Sequence, residues 1–269
     1  MNEEKVSAVG PPFPRVLAVV SQKGGSAKTT TVVNLAAALG ELDRRVLVVD
    51  LDPQATASNW LGVRDGGRGL LDLFTGNGNL ADLVHNVDVF NVSVVPSSEW
   101  LVGAEKALSR EPVGAETVLR GHVERLPRRW HYVIMDCPPS LGVLTVNALT
   151  AAAEVLVPVA AQWLALTGLL QLLKTVDVVK ERLNPRLRVS GIVACMVDAR
   201  TRHSLDVVEE LRRKYADLVF KTTVRQNVRL TEAPSFHKPA TTYAPHSTGA
   251  EDYRQLAAEV IAQERRKRT

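Results

Sequence analysis

The segment SQKGGSAKTTT, residues 21–31, sets two lysines on either side of a turn of small residues. Lys23 precedes Gly24, Gly25, Ser26 and Ala27; Lys28, Thr29 and Thr30 follow at once, ahead of an apolar stretch. Small residues let successive backbone N–H groups curl round an anion. A helix beginning just behind them turns its positive dipole end toward the same point. In that arrangement Lys28 reaches the outer phosphates of a nucleotide, Thr29 offers its hydroxyl to Mg²⁺ and Thr30 adds a hydroxyl at the α-phosphate. Strand, Gly-rich turn, Lys-Thr and helix, in that order, make a phosphate loop.

Two further segments supply what such a site lacks. RVLVVDLDPQ, residues 45–54, ends an apolar run with Asp50 and Asp52. YVIMDCPPS, residues 132–140, ends another with Asp136. Carboxylates at strand ends emerge where open α/β sheets bind ligands. Asp136 stands where phosphate-loop enzymes place the acid that holds Mg²⁺ through water.

The elements that must position these residues alternate along the chain. Nearly continuous apolar runs predict strands over 15–20, 45–50, 90–95, 132–136, 155–159, 189–196 and 219–224. Such runs are strands covered on both faces. Helical spacing falls over 30–39, 145–153, 168–183, 204–215 and 250–263, and Gly40 sits where the first helix is expected to stop. The expected fold is α/β: a doubly wound, mainly parallel sheet with helices on both faces. A single domain is expected over 15–263, between an N-terminal tail (1–14) and a basic C-terminal tail (264–269).

QKGGSAKTTT, DLDPQ and DCPPSLGVLTVNAL together resemble the deviant Walker A ATPases, and more narrowly the ParA (Soj-type) partition ATPases. The stretches DARTRHSLDVVEEL and NVRLTEAPSFHKPATTYAPHSTGAEDYRQLAAEV extend the likeness over residues 15–262. The resemblance implies ATP and Mg²⁺ as cofactors and an ATP-dependent homodimer. In it Lys23 crosses to the phosphates bound by the other copy, acting like an arginine finger. It implies that Asp52 orients or activates the attacking water and that Asp50 supports the Mg²⁺ shell, with the division of roles between them open. Gln54 would lie near the phosphates and Asn227 at the adenine. Arg200 and Arg229, with Arg202, Arg225 and Lys238 as neighbours, would bind double-stranded DNA without sequence preference. A ParB-type centromere-binding partner would stimulate a slow hydrolysis and release the DNA.

Two positions depart from the family pattern. KGGSAKT replaces the usual KGGVGKT, so Ala27 occupies a glycine position. A right-handed helical backbone is expected there, which alanine tolerates. Arg225-Gln226-Asn227 replaces Pro-Arg-Asn, which puts the adenine pocket's fine geometry in question.

Composition narrows the classes further. The 269 residues are 45% hydrophobic but only 5% aromatic, which favours α/β over an all-β sandwich. The net charge of +4 is concentrated: residues 200–238 hold nine basic and five acidic side chains, so the rest sums to zero. No run of eighteen apolar residues is present, and the N-terminal residues do not read as a secretory signal. Cys137 and Cys195 form no CxxC and read as reduced thiols. A cytoplasmic, nucleoid-associated protein without a membrane partner is expected. The alternatives are an orphan cargo-positioning ATPase of the same family and a non-hydrolysing nucleotide- or DNA-binding scaffold disabled by Ala27. A MinD-like membrane cycler lacks the apolar C-terminal face it needs.

Overall fold

Alternate residues of the central strands point into two different cores, which is why the strands read as unbroken apolar runs. Val16 and Ala18 of the first strand pack on one side of the sheet, and Leu17 and Val19 on the other. Leu47 and Val49 likewise oppose Val46 and Val48. The computed structural model describes residues 14–64, 67–108 and 114–266. Residues 1–13 of the expected N-terminal tail and 267–269 of the expected C-terminal tail lie outside the described residues.

Among the described residues seven strands form one sheet in the order β3-β4-β2-β5-β1-β6-β7. They are β1 Arg15–Val19, β2 Val46–Asp50, β3 His85–Asn86, β4 Val92–Val95, β5 Tyr132–Asp136, β6 Glu154–Ala160 and β7 Arg188–Cys195. All pairings are parallel except the short edge pair β3–β4. The helices in chain order are α1 Lys28–Glu41, α2 Thr56–Trp60, α3 Gly69–Phe74, α4 Val102–Leu108, α5 Val118–Glu124 and α6 Val143–Ala151. They continue with α7 Trp163–Arg182, α8 Arg202–Tyr215, α9 Val228–Glu232, α10 Ala240–Tyr243 and α11 Thr248–Arg266. Leu108, Leu119, Leu144, Leu172 and Leu211 carry α4 to α8 onto one face. Leu35, Ala240, Tyr253 and Leu256 bring α1, α10 and α11 onto the other. The doubly wound arrangement is the one expected.

Three local expectations are corrected. Gly40 does not stop α1, which runs on to Glu41. A Cβ at Gly40 would collide with the Phe90 backbone carbonyl, so glycine serves close approach to the neighbouring loop. Residues 219–224 do not form a strand: isolated bridges stand at Ile192–Val219 and, just beyond the segment, at Val197–Arg225. The segment's outward N–H groups are taken instead by a side chain, since the Glu259 carboxylate accepts from Lys221 N at 3.0 Å and Thr222 N at 2.7 Å. The final helix extends past Gln263 to Arg266, so Glu264 belongs to α11 and accepts a hydrogen bond from the Tyr132 hydroxyl.

Candidate nucleotide site

Register brings the chemistry to one edge. Val19, the last residue of β1, pairs with Asp136 of β5, and Asp136 pairs in turn with Asp50 of β2. The phosphate loop, the Asp50–Asp52 turn and Asp136 therefore leave the same end of three adjacent parallel strands. That is the ligand-binding edge of an open α/β sheet.

The loop itself is built for an anion. Gly25 has φ +70°, and ideal Cβ atoms placed at Gly24 and Gly25 meet nothing within 4 Å, so the backbone there faces open space. No side chain caps α1, which leaves its first N–H groups for a ligand. Lys28 is buried, while Lys23 is exposed and donates to Gln162 Oε1 of its own chain at 3.0 Å. Ala27 corrects the sequence expectation: its backbone is left-handed, φ 66° and ψ 25°. The helix begins immediately after it, and its carbonyl accepts the first turn's bond from Thr31 N at 2.8 Å. Alanine in this conformation costs about 1 kcal/mol relative to glycine.

Asp50 and Asp136 are both fully buried, yet only one is satisfied. Asp50 Oδ2 accepts from Ser58 N at 2.8 Å and Ser58 Oγ at 2.6 Å, and Oδ1 accepts from Asp52 N at 3.1 Å. Ser58 Oγ in turn accepts from Ser97 N at 2.9 Å. Burial raises the Asp50 pKa to about 6 against the pull of these donors. Neither Asp136 oxygen has a hydrogen-bond partner. The Thr29 hydroxyl and the Lys28 ammonium favour its charge without a well-formed bond, while burial and then the Asp50 charge push its pKa well up. Ser26 Oγ and Gln22 Oε1 are buried and unpartnered on the same loop. A buried carboxylate with free lone pairs beside a hydroxyl fits a divalent cation. Among the described residues no cluster of three His, Cys, Asp or Glu side chains could hold a metal, so the fit is for an ion ligated largely by phosphate and water. The Cys137 thiol next door is pushed well up by burial and then by Asp136, so it offers no thiolate.

Asp52 is half-buried, its Oδ1 accepting from Gln54 N at 3.0 Å, and Gln54 is exposed. A cavity of about 550 Å³ runs from Gly25, Ala27, Thr29 and Thr30 to Gln226 and Asn227. Asn227 is thus brought to the site, where its Oδ1 caps α9 through Arg229 N at 2.8 Å. Arg225 lines the same cavity and is ion-paired to Asp252. The other basic residues lie outside this lining: Arg200 is 88% exposed and paired to Asp198, Arg229 pairs with Glu232, and Arg202 and Lys238 are exposed. Sequence reasoning missed Ser58 and Asp252, whose partners lie 8 and 27 residues away; neither belongs to a local motif.

Fold and site together define a phosphate-loop nucleoside-triphosphatase of the deviant Walker A type. Residues 14–189 match the family model described as AAA domain. The chain is 46% identical over 248 residues to the chromosome-partitioning ATPase Soj of Thermus thermophilus, covering 92% of this chain and 96% of that protein. It is 43% identical over 250 residues to the sporulation initiation inhibitor protein Soj of Bacillus subtilis, covering 92% and 98%. Among solved structures, cobyrinic acid a,c-diamide synthase of Mycobacterium smegmatis, with bound ATP analogue and magnesium, superposes with a TM-score of 0.82 at 35% identity, covering 94% and 96%. The chain belongs to the ParA (Soj-type) family of partition ATPases.

Proposed function

We propose that this protein is an ATP-hydrolysing partition ATPase with a nucleotide-switched dimer. ATP would bind with its phosphates in the loop of residues 23–30 and its base toward Asn227. Lys28 and the free N–H groups at the start of α1 hold the phosphate oxygens. Thr29 and Asp136 are the residues that would hold Mg²⁺, with Asp50 bracing the loop that carries Asp52. Magnesium held there would neutralise charge on the outer phosphates. Asp52, half-buried and with a free Oδ2, orients the attacking water. Lys23 contributes its ammonium to the phosphates of a second copy, so closing the dimer and completing the site are one event.

Arg200, Arg202, Arg229 and Lys238 would then meet DNA phosphates from two copies at once, which makes affinity depend on ATP through avidity. Arg225, ion-paired to Asp252 as Arg200 is to Asp198 and Arg229 to Glu232, would add its charge to theirs. A ParB-type partner would stimulate a slow intrinsic turnover and release the dimer from the nucleoid. A further support is the likeness to the partition ATPases Soj and ParA.

The observation that carries this reading is the convergence of the phosphate loop, the Asp52 turn and the unpartnered Asp136 on one strand edge. Size-exclusion chromatography of wild type and Asp52→Ala, with ATP, ADP or no nucleotide, tests it. A dimer with ATP only, persisting in the variant while phosphate release is lost, is expected. Monomer under all conditions overturns it.

A further inference from the structure

The backbone at the base end of the cavity is tied to β7 and its exit, through Val224 N to Ala194 O at 2.8 Å and Gln226 N to Val197 O at 3.0 Å, and the side chains there are held by one helix that the phosphate chemistry does not touch. Asp252 of α11 is 3% exposed and accepts from three donor groups of one residue. They are Arg225 N at 2.9 Å, Nε at 3.0 Å and Nη2 at 2.5 Å. One turn earlier on the same helix, Thr248 Oγ1 accepts from Asn227 Nδ2 at 2.6 Å. Since Asn227 Oδ1 caps α9, the amide is gripped at both ends. The next residue along, Tyr253, is fully buried and lines the same cavity. Its hydroxyl lies 3.2 Å from Thr31 Oγ1, in the first turn of the helix that presents the phosphate loop.

One helix therefore contacts both ends of the cavity. Asp252 and Thr248 fix residues 225–227, and Tyr253 fixes α1. Arg225 stands where the family often has proline. A proline would restrict the backbone by its ring and carry no N–H. Here the arginine has an N–H to satisfy and a freer backbone, and a buried carboxylate supplies both the acceptor and the restraint through charge-assisted, bidentate bonds.

We propose that Asp252 and Thr248 are positioning residues for the base subsite: α11 sets the place of residues 225–227 relative to the phosphate loop. This rests on the nucleotide-site reading above. The subsite takes the base of a nucleotide, so a ligand without a base should ignore these residues.

Calorimetric binding of Mg–ATP and of Mg–tripolyphosphate, with thermal unfolding in parallel, separates the possibilities. Asp252→Asn and Thr248→Ala should each weaken Mg–ATP about tenfold, equivalent to about 1.4 kcal/mol. Mg–tripolyphosphate should bind both as it binds wild type, and Thr248→Ser should restore ATP binding. Thr248 is exposed, so its variants keep the test decisive if Asp252→Asn fails to fold. Unchanged Mg–ATP binding, or equal losses for both ligands, overturns the inference. Wild type that binds neither ligand overturns the nucleotide-site reading itself.

Discussion

Asp50 and Asp136 are register partners on adjacent strands, and only Asp50 has its oxygens filled by the protein. Two buried carboxylates side by side repel, so the donors from Ser58 and Asp52 decide which one is left for a cation. Asp136→Ala should abolish the magnesium dependence of nucleotide binding. Ser58→Ala, which removes one donor from a buried carboxylate, should cost about 1–3 kcal/mol of stability in a denaturant titration. Magnesium dependence left intact in Asp136→Ala would contradict this division of labour.

The same pair makes nucleotide binding proton-linked. Asp50 is raised from its ordinary 3.8 to about 6, and Asp136 is raised well above that ordinary value. In the folded protein this pair therefore holds more protons than it does in the unfolded chain above about pH 4. Stability from these groups is full below that point and falls as pH rises through about 6. A bound cation favours the charged forms, so Mg–ATP binding should release protons between about pH 6 and pH 7. Calorimetry in two buffers of different ionisation enthalpy measures the release, and none at either pH refutes it.

Ala27 holds a left-handed backbone at the start of α1. Ala27→Gly should raise stability by about 1 kcal/mol, seen as a higher denaturation midpoint at unchanged slope. Ala27→Val, β-branched at positive φ, should lower it and weaken Mg–ATP binding. A glycine variant no more stable than wild type would mean the loop carries no strain.

Lys23 lies exposed against Gln162 and does not line the cavity of about 550 Å³. Lys23→Ala should keep Mg–ATP binding by the monomer and lose hydrolysis by a factor on the order of 10³ or more. Loss of monomer binding instead would place this lysine on its own nucleotide.

DNA binding should be steeply salt-dependent, falling by orders of magnitude between about 50 and 200 mM salt. Arg229→Glu should weaken ATP-dependent DNA retention on every sequence alike and flatten that dependence. Retention equal to wild type would remove Arg229 from the surface.

The central sheet was legible because strands buried on both faces have no polar alternation to hide them, as in residues 46–50 and 132–136. The positions of Asp50 and Asp136 were legible because each closes such a strand, with Asp52 in the turn two residues beyond Asp50. The backbone of Ala27 was not, since alanine fits right-handed helix at least as well and only the bend into α1 selects otherwise. Gly40 misled because glycine near a helix end marks both a stop and a close approach, and the Phe90 carbonyl decides between them. Residues 219–224 have a strand's composition, but Glu259, far along the chain, takes the N–H groups a strand would give a neighbour. Short helices such as α2 and α3 carry too few turns for a period to register.

The helix from Thr248 to Arg266 follows every other described element, yet it packs against the first helix and walls the cavity. On the ribosome, the loop, the Asp52 turn and Asp136 all emerge before it does. A nascent chain that has not yet released this helix lacks one wall of the chamber and the Tyr253 contact to α1.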